Sequence, residues 1–257
     1  MRKIYIVPNL VTSANMFCGF YSMIASIQGE FTTAAWAIIA ASVFDTLDGR
    51  IARLAKATSE FGVQYDSLSD LVSFGAAPAI LLFQWALRPF DRLGWLAAFL
   101  FLACGALRLA RFNVFSGIAP KGYFQGLPIP MAAGMVATFN IFYSTTGWPA
   151  ESGVFSYRIL VLVLTFALAS LMVSTIRFPS FKELNWRSRG SFGYLAVAIL
   201  SMILIAVKPE ITLFIVLSGY VFLSLGWNLV LLSRGQNSTT SSQGVESQGV
   251  ASQDRLR

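Results

Sequence analysis

The chain has 257 residues, of which 56% are hydrophobic and 12% charged, and its formal net charge is +7. Apolar content this high excludes an ordinary soluble domain and is typical of a membrane protein. Histidine is absent from the sequence, which excludes nucleophilic triads, proton shuttles and metal sites built on imidazole. The two cysteines, Cys18 and Cys104, lie inside apolar runs without metal-site spacing, so we interpret them as packing residues.

Eight apolar runs are long enough, some with their flanks, to cross the membrane, whose hydrocarbon layer is about 30 Å thick. The sequence therefore predicts an all-α integral membrane protein with about eight transmembrane helices, in a domain covering residues 1–233. The run at 192–207 is the shortest, so six or seven spans are the alternative. The eight runs lie at approximately 8–28, 32–54, 68–87, 93–111, 130–147, 158–177, 192–207 and 210–231.

The excess of positive charge has two interpretations, nucleic-acid binding or membrane topology. With the N-terminus inside and eight spans, 15 of the 19 Lys and Arg residues fall in cytoplasmic segments. This distribution is the positive-inside bias of membrane proteins. The sequence thus predicts no nucleic-acid partner, and it places residues 45–70 at the cytoplasmic face of the cell (inner) membrane. The four exceptions are Arg88, Arg92, Arg158 and Lys208.

The first apolar run follows a short basic start and could be taken for a signal peptide. Polar residues interrupt it and no convincing small-x-small cleavage site follows, so we expect a retained first helix. Asn9, Thr12, Asn15 and Gly19 recur three or four residues apart and form one stripe on that helix. Small and weakly polar residues suit helix packing in lipid. This interpretation competes with a role as one wall of a binding pocket.

Four carboxylates lie at the ends of apolar segments as two pairs, Asp45/Asp48 and Asp66/Asp70. On a helix the first pair is about 60° apart and the second about 40°, so each pair shares a face. A charged side chain at a helix centre in the bilayer costs at least about 2.5 kcal/mol, which makes such acids functional candidates. An all-oxygen cluster suits Mg²⁺ or Mn²⁺ better than zinc. The alternative is four aspartates that only cap helix ends.

The spacing around these acids is D-x2-D-G-x2-A-R-x8-G-x3-D-x3-D, with eight specified positions in residues 45–70. It resembles the signature of the CDP-alcohol phosphatidyltransferases, membrane enzymes that move a phosphatidyl group from a CDP-linked lipid to an alcohol. The resemblance implies a helical bundle with a polar, cytoplasm-facing cavity. It also implies two divalent ions, Mg²⁺ or Mn²⁺, that grip the substrate diphosphate, with Asp70 as the base. The implied metal ligands are Asp45, Asp48, Asp66 and Asp70.

The same resemblance suggests residues for the CDP-diacylglycerol pocket. The PNLVT start of the first helix resembles that of the family, which would make Asn9 and Thr12 part of the wall. Gly49 would let the diphosphate approach the backbone, and Arg53 would contact phosphate. Gly62 would keep one face open for the nucleotide.

Ser67 and Leu71 stand where family members that act on glycerol phosphate carry proline and lysine, and the run DSLSDLVSFG resembles the branch that transfers to serine. The string RLARFN adds Arg108, Arg111 and Asn113 as candidates for binding serine. The two arginines share a face and would suit a carboxylate or phosphate, although they could equally be topology anchors. We therefore expect phosphatidylserine and CMP as products. The alternatives are another acceptor, glycerol phosphate or inositol phosphate, and a cation transporter.

The remaining segments of the chain complete the prediction. The loop 177–191 is basic and aromatic, as expected of a loop that lies against anionic headgroups. The later spans carry no ionisable residue in their interiors, so we expect them to serve packing or the contacts of a homodimer. Residues 234–257 are rich in Ser and Gln and predict a disordered cytoplasmic tail.

Overall fold

The computed structural model describes residues 6–54, 59–115, 123–147, 157–179 and 207–226. The chain divides into two units, Met1–Ser218 and Gly219–Arg257, and the described part of the second is a helical segment, residues 219–226. The predicted span at 192–207 lies almost entirely outside the described residues. The basic loop beyond residue 179 and the tail 234–257 lie outside them as well.

Helices dominate the described residues, which confirms the helical fold class. The helices are α1 (Ile6–Ile27), α2 (Phe31–Leu54), α3 (Glu60–Asp70), α4 (Ala77–Leu82), α5 (Asp91–Phe115), α6 (Ile129–Thr146), α7 (Tyr157–Val173) and α8 (Pro209–Gly226). A π-helical turn, Leu71–Ala76, connects α3 to α4, and a second one, Phe83–Leu87, follows α4. Two short strands, β1 (Tyr123–Gln125) and β2 (Arg177–Pro179), form an antiparallel pair that the sequence did not predict.

Seven of the eight predicted apolar runs fall on these helices. By length and hydropathy, three helical stretches qualify as membrane spans: Pro8–Ile27, Glu60–Val114 and Pro209–Gly226. Helix α7 is apolar but shorter, with 17 residues. The stretch Glu60–Val114 has 55 residues and is interrupted by a 3₁₀ turn, Arg88–Phe90. The structure thus supports a membrane-embedded helical protein, and the total of eight spans stays a prediction.

Helix α3 begins at Glu60, eight residues before the predicted start of the third span at residue 68. Ser59 has extended backbone, and its hydroxyl accepts a hydrogen bond from the Gly62 N–H at 3.0 Å. A serine N-cap followed by an acidic residue in the first turn is a standard helix start. As a result, Asp66 and Asp70 both lie on α3 itself, one turn apart on the same face.

The helix that carries these two acids changes its winding directly after Asp70. Pro78 lacks an N–H for the carbonyl of Phe74, and its ring would crowd that carbonyl in a regular α-helix. The π-helical turn Leu71–Ala76 precedes α4, which carries Pro78 in its first turn. Single π-helical turns within α-helices are frequent at functional sites.

The chain reverses between the second π-helical turn and α5. Pro89 lies in the 3₁₀ turn Arg88–Phe90, and Asp91 has a φ of 45°, in the left-handed region. Gly94 then lies directly against the carbonyl of Leu87, and a Cβ added at Gly94 would overlap that oxygen. Glycine at this position therefore lets α5 fold back along the preceding helix.

Helix α6 forms the centre of the bundle. Eleven of its 18 residues are buried, and they lie on all sides of the helix, as expected of a helix surrounded by protein. Trp85 ties the second π-helical turn to α6 and α7, because its ring lies 5.8 Å from those of Phe139 and Tyr157 and 5.7 Å from that of Tyr143. This core leaves the ends of α1, α2 and α3 to build the acidic site.

We expect Gly94→Ala to destabilise the protein, because the added methyl group meets backbone that cannot move aside. Overpacking of this kind typically costs about 1–3 kcal/mol, so thermal unfolding in detergent should shift to lower temperature. Gly219→Ala is the matched control, since a Cβ there meets open space. Equal unfolding temperatures for both variants would contradict the proposed close approach.

Candidate active site

Three of the four predicted acidic residues meet in one cluster. Asp45 and Asp48 come from the C-terminal half of α2, and Asp66 comes from α3. One carboxylate oxygen from each lies within 4.8 Å of the others. Asp45 and Asp48 therefore lie on one face of α2, as predicted, and α3 brings Asp66 next to them.

This cluster is electrostatically unfavourable without a cation. Two unit charges at such a separation repel by roughly 3 kcal/mol for an effective dielectric constant of about 20. In addition, Asp48 Oδ2 and Asp66 Oδ1 are buried and have no hydrogen-bond partner among the described residues. Oxygen ligands of this kind fit a hard divalent ion such as Mg²⁺ or Mn²⁺. The acidic cluster of Asp45, Asp48 and Asp66 could thus hold a metal ion.

Asp70 lies beside this cluster and differs from its members in its contacts. Its carboxyl group lies within hydrogen-bonding reach of that of Asp45. The amide Nδ2 of Asn15 donates a hydrogen bond to Asp70 Oδ1 at 3.3 Å. Asp70 is 9% exposed and Asn15 is fully buried. One face of Asp70 is therefore directed toward the acids and another toward α1.

Serine side chains of α3 and of the first π-helical turn form hydrogen bonds with the backbone of α1. The Ser69 hydroxyl donates to the carbonyl of Thr12 at 3.1 Å, and the Ser73 hydroxyl donates to that of Asn15 at 3.0 Å. Gly19 lies against Ser73 so closely that a Cβ would overlap it. Within the α1 stripe, Gly19 serves packing, while Thr12 and Asn15 lie at the acidic residues.

The residues predicted to bind CDP-diacylglycerol lie around the same region. The Thr12 hydroxyl contacts the Asp48 carboxylate. A Cβ added at Gly62 would be 3.9 Å from Asn9 Oδ1, so the starts of α1 and α3 are adjacent. Gly49 directly follows Asp48 on α2. The side chain of Arg53 lies outside the described part of the structure.

Arg108 is a buried cation on α5. It is 7% exposed, and its Nε is buried without a hydrogen-bond partner among the described residues. Its charge interacts with that of Asp70. A buried guanidinium whose charge interacts with that of Asp70 is suited to bind an anionic group of a substrate.

Arg111 shares a helix face with Arg108 but contacts another element. Its Nη1 donates to the carbonyl of Val173 at 3.1 Å, and its Nη2 donates to that of Ser174 at 3.2 Å. These carbonyls end α7, where a cation satisfies groups that lack helical partners. Gly126, with a φ of 76°, packs beside the same guanidinium. Arg111 thus joins α5, α7 and the segment after β1.

Asn113 pairs with Ser67, the residue directly after Asp66. Asn113 Nδ2 donates to Ser67 Oγ at 2.9 Å. This contact links the end of α5 to α3 at the level of the acidic cluster. The structure therefore gives Arg111 and Asn113 supporting contacts, whereas the charge of Arg108 interacts with that of Asp70.

Sequence reasoning did not select Asn15 as a site residue, although it noted the stripe that contains it. The stripe allows either packing or binding, and only the contact with Asp70 distinguishes them. Ser59, Ser69 and Ser73 were also missed. An N-cap preference could have identified Ser59, but nothing in the sequence indicates which carbonyls Ser69 and Ser73 reach.

The comparisons with known proteins agree with one another. The sequence model for CDP-alcohol phosphatidyltransferase matches residues 5–173. A CDP-diacylglycerol–serine O-phosphatidyltransferase of Helicobacter pylori is 36% identical over 189 residues, 72% of this chain and 77% of the relative. The enzyme of the same name from Bacillus subtilis is 33% identical over 177 residues, 69% and 92% of the two chains. An archaetidylserine synthase of Methanothermobacter thermautotrophicus is 38% identical over 175 residues, 67% and 69% of the two chains.

We expect Asp48→Asn to weaken Mn²⁺ binding strongly and Asp70→Asn to weaken it less, because Asp70 lies outside the cluster of three oxygens. Removing a ligand charge should reduce affinity about tenfold or more. Electron paramagnetic resonance titration of the purified protein with Mn²⁺ measures this without any turnover. Equal losses in the two variants would place Asp70 among the primary ligands.

Proposed function

The chain belongs to the CDP-alcohol phosphatidyltransferase family, and we propose that it transfers the phosphatidyl group of CDP-diacylglycerol to L-serine. The products are phosphatidylserine and CMP. The names of the relatives support serine as the acceptor, as do Ser67 and Leu71 at the positions that distinguish the serine branch. The structural observation that carries the proposal is the acidic cluster together with the buried Arg108, whose charge interacts with that of Asp70.

The metal site of the proposal consists of Asp45, Asp48 and Asp66, with Asp70 beside this cluster as an additional, weaker ligand. Their oxygens suit two Mg²⁺ or Mn²⁺ ions, which when bound would offset the charge of the diphosphate and of the departing CMP. Asn9, Thr12, Gly49, Arg53 and Gly62 would surround the nucleotide, since the described members of this set lie where α1, α2 and α3 meet.

In the transfer, the serine hydroxyl oxygen forms a bond to the phosphorus that carries the diacylglycerol. The bond from that phosphorus to the bridging oxygen breaks, and CMP leaves with the electron pair. Asp70 takes the proton of the serine hydroxyl. Its contact with Asn15 suits this role, because the donated hydrogen bond fixes the orientation of the Asp70 carboxylate. The buried surroundings restrict the entry of water, which would otherwise compete with serine.

The proposed setting is the inner membrane, with the acidic site at the cytoplasmic face and about eight spans. The distribution of Lys and Arg supports this orientation. Serine and CMP are water-soluble while CDP-diacylglycerol is a lipid, so a site at the membrane edge gives access to both. The proposal includes a homodimer formed by helices that do not contribute to the site.

An acceptor panel tests the function directly. Purified protein with CDP-diacylglycerol and Mn²⁺ should release CMP with L-serine and far less with glycerol phosphate or inositol phosphate. Chelation with EDTA should abolish the release, and divalent ions should restore it. If a phosphorylated acceptor is preferred, serine is not the natural acceptor, but the reaction class is unchanged. Cation transport without CMP release would contradict the whole proposal.

Within the acceptor site, we propose that Arg108 binds the serine carboxylate, while Arg111 and Asn113 complete the wall and hold it in place. We expect Arg108→Gln to raise the KM for serine roughly ten- to a hundredfold, the equivalent of losing a charge-assisted hydrogen bond worth about 1.5–3 kcal/mol. The KM for CDP-diacylglycerol should change little. Lysine should rescue only in part, because it lacks the planar fork of arginine.

Arg111→Gln is the matched comparison, three residues away on the same face. It should lower the unfolding temperature, because the carbonyls at the end of α7 lose their cation. Its effect on KM should be smaller than that of Arg108→Gln. The same rise in serine KM for both variants, at equal stability, would assign the two arginines the same role.

A further inference from the structure

We infer that the amide oxygen of Asn15 accepts a hydrogen bond from the ammonium group of the acceptor and so determines selectivity for an amino alcohol. The inference rests on the proposed function and deepens it, since it adds the group that distinguishes serine from acceptors without an amine. Asn15 Oδ1 is a buried acceptor atom on the side chain that is hydrogen-bonded to Asp70.

The orientation of the Asn15 amide follows from its one observed partner. Only the NH₂ end of an amide can donate to a carboxylate, so the bond to Asp70 Oδ1 places Nδ2 there. Oδ1 is then the opposite end. It is buried and has no hydrogen-bond partner among the described residues. Buried acceptors are rarely left unpaired in folded proteins, so this oxygen needs a donor from outside the described structure.

The surroundings of this oxygen match the polar groups of L-serine. Asp70, beside it, suits the hydroxyl. Arg108 Nε is buried without a partner in the described part of the chain, and the charge of Arg108 interacts with that of Asp70. Arginine donates and accepts nothing, whereas the amide oxygen accepts. A carboxylate therefore fits Arg108, and an ammonium fits Asn15 Oδ1. Because Asn15 is neutral, it can hold the ammonium without adding a charge to the acidic cluster.

Ser22 provides a contrast on the same helix. It is also fully buried, two turns beyond Asn15, and its hydroxyl oxygen has no partner in the part of the chain that the structure describes. No described contact connects it with the acids. A buried unpaired oxygen is thus not by itself a site, and the contact with Asp70 is what distinguishes Asn15.

Two truncated acceptors separate the proposed contacts. Ethanolamine keeps the ammonium and hydroxyl but lacks the carboxylate, and 3-hydroxypropionate keeps the carboxylate and hydroxyl but lacks the ammonium. Each would be measured as a competitive inhibitor of serine turnover. In Asn15→Leu, the inhibition constant of ethanolamine should rise roughly ten- to a hundredfold, while that of 3-hydroxypropionate changes little. In Arg108→Gln the pattern should be reversed.

Ser22→Ala is the control for removing a buried oxygen from α1 and should leave both constants unchanged. Asn15→Ala replaces the leucine variant if the larger side chain prevents folding, as judged by size-exclusion chromatography in detergent. Equal weakening of both inhibitors by the Asn15 variants would show that Asn15 only positions Asp70, and it would overturn the inference. An unchanged constant for ethanolamine would overturn it as well.

The unaltered protein gives an independent test. It should bind 3-hydroxypropionate roughly ten- to a hundredfold more weakly than serine. Equal binding would mean that no group recognises the ammonium, whatever the variants do. Failure of the wild-type protein to use serine at all would contradict the proposed function instead, so the two failures are distinguishable.

Discussion

The arrangement of this protein depends on holding several carboxylates together inside an apolar helical bundle. Asp45, Asp48 and Asp66 repel one another at the separations observed, and burial removes most of the water that would screen them. Such an arrangement persists only where packing elsewhere fixes the helices and where a cation can join the acids. The central helix α6 and the close approach of α5 at Gly94 supply rigid packing, which leaves the ends of α1, α2 and α3 for the charged groups.

Helix α1 connects this packing with the chemistry. Its backbone carbonyls at Thr12 and Asn15 accept hydrogen bonds from Ser69 and Ser73, and these two serines flank Asp70 in sequence. The π-helical turn begins directly after Asp70, so Ser73 and Gly19 meet where the winding changes. A shift of α1 along α3 would therefore break the serine contacts and move Asn15 away from Asp70 together. The geometry of Asp70 is thus coupled to helix packing.

The sequence predicted what depends on local periodicity and composition. The apolar runs located seven helices, and the spacing of Asp45 and Asp48 placed them on one face because an α-helix turns by about 100° per residue. Features that depend on which elements meet in space were missed. The strand pair β1–β2, the serine contacts of α1 and the contact of Asn15 with Asp70 each require knowledge of a distant partner. The start of α3 was missed for a local reason, because Ser59 was not recognised as its N-cap.

Arg108 and Arg111 show what could not be predicted from the sequence. In the sequence they are equivalent, since both are arginines at the end of one apolar run and lie on one helix face. The C-terminus of α7 makes them different, because its carbonyls at Val173 and Ser174 take the guanidinium of Arg111. A free helix end is a local acceptor of positive charge. It binds Arg111, while Arg108 is buried and its charge interacts with that of Asp70. The sequence alone predicts one anion site formed by both arginines. In the structure, Arg111 makes a structural contact and Arg108 is the candidate for substrate binding.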